Sequence, residues 1–160
     1  MYLVSACLLG LKTRFDAAGF GPFCENIITV PLEKLIPVCP EQLGGLSTPR
    51  LPSEIVDGRG EDVIKGEAKV LNSAQQDVTE HFLRGAANAL YLAKLYRVKG
   101  AILKDGSPSC GSCYIYDGSF SGKRLPGTGV AAALLQENKI PVFNEQKLFP
   151  RPHNIKKDKR

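Results

Sequence analysis

The sequence predicts an α/β fold, a single domain with a small, mostly parallel sheet flanked by helices. Three observations lead there. Short apolar runs of strand length recur along the chain, at Tyr2 to Ala6, in "LIPV", in "AILK" and in "IPVF". Two stretches of clear helical period separate the later runs. The 160 residues suffice for one core, burying roughly two-thirds of the unfolded surface. Alternating strands and helices are the pattern of a parallel sheet covered by its crossovers, a Rossmann-like arrangement. Residues 1–149 form the domain in this reading, and 150–160 a basic tail.

Taken in order, Tyr2 to Ala6 is a buried strand at the chain start, followed by the glycine-rich turn region "GLKTRFDAAGFG". "PLEKL" reads as a helical turn, and "LIPVCP" as a second strand ending at Cys39 and Pro40. The stretch "EQLGGLSTPRLPSEIVDGRGED" reads as a long irregular loop, a length of loop that is usually functional. "DVIKGEAKVLN" alternates enough to predict a hairpin. Asp77 with Glu80 three residues on has the spacing of a capping box, opening the strongest helix. Val78, Phe82, Ala86, Ala89, Leu90, Ala93 and Tyr96 give that helix its apolar face, and Gly100 supplies the stop. Ala101 to Lys104 is the third strand. "YIYDGSFSG" is a short strand with a turn, "GTGVAAALLQENK" the second helix, "IPVF" the fourth strand and "NEQKLF" a closing helical turn.

Composition narrows the function. Hydrophobic content of 43% with 23% charged residues is ordinary for a soluble globular chain. No run approaches the ~20 apolar residues of a membrane span, and the N-terminus lacks a basic leader. The expected compartment is the cytoplasm, where thiols stay reduced. Five cysteines, an odd number, argue against a disulfide framework. The net charge of +5 lies partly in the tail "KKDKR", which reads as a solvated end rather than a nucleic-acid grip. That charge suits an anionic or nucleotide-like substrate without establishing one.

The cysteines carry the chemistry. Cys7 follows the first strand, Cys39 ends the second, and Cys110 lies in the loop after the third. In an open parallel sheet, the crevice beyond the carboxyl ends of the strands is where ligands bind. Three cysteines far apart in sequence are thus expected to meet at one edge. Cys24 reads as a small buried hydrophobe. The spacing of Cys110 and Cys113 also permits a thioredoxin-like redox pair, although a β-prone "YIY" follows where that motif opens a helix. Zinc wants four ligands in two close pairs, and His81 and His153 are poorly placed to complete one. Iron–sulfur ligation needs thiolates alone and fits better. Glu41, two residues past Cys39, belongs at the same crevice, as do Ser107 and Ser109 before Cys110. A surface charge and ordinary turn-forming serines are the bland alternatives. "GTGV", Gly127 to Val130, offers helix-start N–H groups to an anion.

Together, "SACLLG", "CPEQLGGLSTPR", "FLRGA", "AILKDGSPSCG", "IYDGSFSGK" and "GTGVAAALL" resemble the TudS-type thiouracil desulfidases, catalogued earlier as domain-of-unknown-function family 523. The resemblance runs from about Val4 to Glu145. It implies a [4Fe–4S] cluster held by three cysteines, Cys7, Cys39 and Cys110, with one iron open to the substrate's sulfur. The glutamate of the family's "CPE" motif falls on Glu41, and the serine of "SPS" on Ser107 or Ser109. The Arg-Tyr-Asp-Gly common after "CLLG" is replaced here, with Phe15 and Ala17 standing where tyrosine and glycine are usual. Cys24 and Cys113 match no family motif. The implied reaction is hydrolytic removal of sulfur from a small thiolated nucleobase or nucleoside such as thiouracil, releasing hydrogen sulfide. Thiolated tRNA is a less favoured substrate, and no membrane partner is expected. Two other classes stay open: a thiol–disulfide protein using Cys110 and Cys113, and a non-catalytic iron–sulfur or sulfur-carrier module.

Overall fold

A computed structural model describes residues 1–20 and 30–148. Four short strands, β1 (Tyr2–Ser5), β2 (Leu35–Val38), β5 (Ala101–Leu103) and β8 (Val142–Asn144), form one sheet in the order β2-β1-β5-β8. Every pairing in it is parallel, as the alternation of strands and helices predicts. Leu3, Val4, Ala101 and Ile102 are fully buried, which is why these strands read as continuous apolar runs rather than alternating ones. From β1 the chain goes to β2 on one side and only later returns to β5 on the other. The seam between β1 and β5 is therefore the point where strand order reverses, the preferred ligand site of such sheets.

Between the sheet strands lie helices α1 (Pro40–Leu43), α2 (Gly60–Lys65), α3 (Thr79–Leu95) and α4 (Val130–Glu137), and α5 (Glu145–Leu148) follows the last strand. Two antiparallel strand pairs stand outside the main sheet: β3 (Ser53–Val56) with β4 (Lys69–Asn72), and β6 (Tyr114–Tyr116) with β7 (Arg124–Pro126). One core packs Leu3, Val38 and Leu103 of the sheet against Ala93 of α3 and Ala132 and Leu135 of α4. A second joins Ile55 of β3 and Val70 of β4 to Phe82, Ala86 and Val130. Among the described residues, no helix is long and apolar enough to cross a membrane.

Three local expectations are corrected. The long loop after Cys39 is not structureless: α1 begins at Pro40, whose fixed φ suits a first helical position, and β3 forms further on. "DVIKGEAKVLN" is not a hairpin but a helix and a strand, divided at Gly66. There φ is +79°, a left-handed stop that glycine adopts without strain. At α2's start the Asp62 carboxylate accepts the Arg59 N–H at 2.8 Å, anchoring the first turn. Lastly, α3 starts at Thr79, one position after Val78, so the Asp77–Glu80 capping box does not form. Asp77 instead accepts the Thr79 N–H at 3.0 Å, while the Thr79 hydroxyl accepts from Val70 and ties the helix to β4. The helix ends well before Gly100, in a turn where Arg97 takes φ of +49°.

Candidate functional site

Each of the three strand ends presents a cysteine. Cys7 sits in the 3₁₀ turn Ala6–Leu9 that continues β1, Cys39 caps α1 directly after β2, and Cys110 lies in the loop that leaves β5. All three line one cavity of about 590 Å³, together with Glu41, Ser107 and Ser109. The six residues singled out from sequence thus converge.

Burial governs the thiols. It pushes Cys110 up to about 12 and Cys7 to about 11, the latter helped by neighbouring Cys39 and opposed by Lys104 and Arg14. Free, these thiols hold their protons at neutral pH, and a cation bound among them would favour the thiolates. Cys39 donates to the Thr13 carbonyl at 3.7 Å, and Cys110 Sγ lies 3.6 Å from the Ser109 hydroxyl. Among the described residues no three Cys, His, Asp or Glu converge on a single metal ion. Thiols from three loops around a space, with no histidine lining it among the described residues, fit a thiolate-held cluster better than a single ion. Thr13, which also lines the cavity, has its Oγ1 buried without a hydrogen-bond partner.

The carboxylate beside the thiols is held at both ends. Glu41 Oε2 accepts from Arg50 Nε at 2.7 Å, while Oε1 receives Ser107 Oγ at 3.4 Å and Ser109 Oγ at 3.3 Å. The serines touch one another at 3.2 Å. Ser107 has a structural duty as well, since its hydroxyl accepts the N–H groups of Ser109 and Cys110, each at 3.1 Å. Both candidate serines therefore reach the carboxylate, so position alone does not select one. A proton can pass between Oε1 and either hydroxyl, and thence toward the cavity.

Cys113 points elsewhere. Its thiol is exposed, does not line the cavity, and accepts from Asn144 Nδ2 at 3.0 Å. Nor does "GTGV" offer donors to an anion. The Gly129 and Val130 N–H groups donate at 2.8 Å to the carbonyls of Gly111 and Pro108, and Ala132 donates to Ser109 at 3.0 Å. The start of α4 is a clamp on the cysteine loop. His81 Nδ1 meets the Gly44 carbonyl at 2.9 Å, so its ring is engaged in holding α1. Cys24 and His153 lie outside the described residues.

Two residues of the site carried no sequence signal for their roles: Arg50, at the end of "STPR", and Asp105, in the turn "KDG". The outer lining adds Arg14, Phe15, Tyr114, Tyr116 and Arg124. Arg124 stacks on the Tyr114 ring at 4.5 Å, and Arg14 on Phe20 at 4.5 Å, giving the rim flat cationic faces.

A family model described as 2-thiouracil desulfurase matches residues 2–147. The chain belongs to that family. The chain is similar to an uncharacterized Bacillus subtilis (strain 168) protein, YbbK, 47% identical over 149 residues, covering 92% of this chain and 97% of that one. A solved structure described as the [4Fe-4S]-dependent thiouracil desulfidase TudS superposes with a TM-score of 0.80. Its sequence is 40% identical, and the match covers 92% of this chain and 91% of the other. The α/β fold described above, a parallel sheet flanked by helices, is thus shared with a solved structure.

Proposed function

We propose that this chain hydrolyses the carbon–sulfur bond of a small thiolated nucleobase such as thiouracil, releasing hydrogen sulfide, with a [4Fe–4S] cluster held by Cys7, Cys39 and Cys110. The observation that carries the reading is the convergence of those thiols and the Glu41–serine network on one cavity at the sheet's switch point. Membership of the desulfurase family and likeness to a [4Fe-4S]-dependent desulfidase support it. When bound, such a cluster supplies a soft Lewis acid that polarises a thiocarbonyl.

The chain's own residues handle protons and position. Glu41 Oε1 faces Ser107 and Ser109, so it is the atom that takes a proton from attacking water and returns it to the departing sulfur. Thiocarbonyl plus water gives carbonyl plus hydrogen sulfide, so no external electron is required. The serines relay that proton and keep the carboxylate aimed. The cationic, aromatic rim suits a planar, electron-rich ring, and a cavity of about 590 Å³ has room for a free base or nucleoside.

Anaerobic reconstitution with iron and sulfide tests this, with metal counts, the visible spectrum and loss of thiouracil absorbance as readouts. Each of Cys7→Ser, Cys39→Ser and Cys110→Ser is expected to lose the cluster. Glu41→Gln is expected to keep it while turnover falls by roughly 10²–10⁴-fold. A fully loaded cluster in all three cysteine variants overturns the ligand set. Glu41→Gln turnover within about threefold of the parent overturns the base.

A further inference from the structure

We infer that Arg50 is a positioning residue that fixes which oxygen of Glu41 faces the reaction, an inference resting on the proton-transfer role proposed for Glu41. Its side chain is only 8% exposed, so its donors must find partners inside the protein. Four of its five N–H donors do. Nε goes to Glu41 Oε2 at 2.7 Å, Nη1 to Thr48 Oγ1 at 2.9 Å and the Ser47 carbonyl at 3.3 Å, and Nη2 to the Thr13 carbonyl at 3.0 Å. Its backbone N–H donates to Phe15 at 2.8 Å.

The pattern is directional. A carboxylate hinged only at its Cγ turns freely and offers either oxygen. Here the planar guanidinium occupies Oε2 at a short, charge-assisted distance, so only Oε1 is left for Ser107 and Ser109. The guanidinium is itself prevented from swinging. Thr48 accepts from Arg50 and from Gln42 Nε2 at 2.7 Å, so the two neighbouring side chains of α1 grip the same turn. Thr13, at the other end of the fork, also receives Cys39. Lysine cannot reproduce this, because one ammonium cannot hold a fork of fixed plane.

The test uses the anaerobically reconstituted full chain as the parent and as Arg50→Ala, Arg50→Lys, Glu41→Gln and the Arg50→Ala/Glu41→Gln pair. Iron and sulfide per chain and the visible spectrum are expected to stay parental in Arg50→Ala. Its kcat is expected to fall by about 10²-fold, the scale of a misplaced catalytic group, with KM changed by no more than about twofold. Arg50→Lys falls as well, and the pair is no slower than Glu41→Gln alone. Added guanidinium ion restores turnover to Arg50→Ala and not to Glu41→Gln. Parental kcat in Arg50→Ala and Arg50→Lys overturns the inference. So does loss of iron or a raised KM with kcat intact, which would make Arg50 a staple between loops. If Glu41→Gln is itself fully active, the proton-transfer reading fails first. If only the Arg50 variants are fully active, that reading survives and this inference alone falls.

Discussion

At Asp105, one carboxylate oxygen takes the N–H groups of Gly106, Ser112, Cys113 and Tyr114 at 3.0–3.2 Å. The other receives Asn144 Nδ2 at 3.0 Å. Burial alone would raise this carboxyl, but the backbone donors outweigh it and hold it below the usual range. Its stabilising effect is therefore present above the unfolded pKa of about 3.9 and lost as pH falls through the lower folded value. Asp105→Asn turns an amide donor toward these N–H groups or toward Asn144. It should cost about 2 kcal/mol in urea unfolding at neutral pH, and should flatten the acid limb of the stability profile. A second side chain gives an opposite expectation. Cys113→Ala should keep iron and turnover, since the thiol faces away from the cavity, while Cys110→Ala should lose both. Equal loss in the two, with no iron in the parent, would restore the redox pair. At this scale Glu41 and the two serines were legible because they adjoin cysteines in sequence. Arg50 and Asp105 were not, because spacing says nothing of partners reached across a fold: Arg50 meets Thr13, and Asp105 meets Asn144.

Between elements, the tightest contact is a pair of glycines. A Cβ on Gly85 of α3 would land on the Pro40 carbonyl, and one on Gly44 would land on that of His81. The bare faces let α1 lie directly against α3, which sets where Cys39 and Glu41 emerge. Gly85→Ala should push α1 away. The expected cost is about 1–3 kcal/mol of overpacking, seen as a lower urea midpoint, together with less iron bound per chain after reconstitution. Unchanged midpoint and loading would mean that α1 is located by something else. The long helices were readable because α3 and α4 repeat their apolar residues over several turns. Two short ones, α1 and α2, were hidden. α1 has four residues, too few to show a period, and α2 has six rich in β-branched neighbours. β3 was lost in a proline-rich run because its partner β4 is needed to justify it.

For the molecule as a whole, the ligands proposed for the cluster come from the ends of β1, β2 and β5, three strands whose mutual order no local pattern reveals. Parallel alternation was legible, and so was convergence at one edge; the sequence of strands across the sheet depends on distant pairings. Holding three loops at once links cofactor to fold. Loaded protein should melt at a higher temperature than protein stripped by a chelator, by an increment equivalent to about 2.7 kcal/mol when free ligand is at 100 times its dissociation constant. Anaerobic calorimetry before and after stripping reads this directly, and identical melting would argue against shared ligation.

The clamp at the start of α4 has a use of its own. Gly129, Val130 and Ala132 lend their amide hydrogens to the carbonyls of Gly111, Pro108 and Ser109 rather than to water. Those three amides are a built-in gauge of the loop that carries Cys110. In deuterium they should exchange slowly while the loop is shut, and should speed up when it opens, ahead of the amides buried in β1. The state of the thiol loop can thus be followed without labelling or replacing a single cysteine.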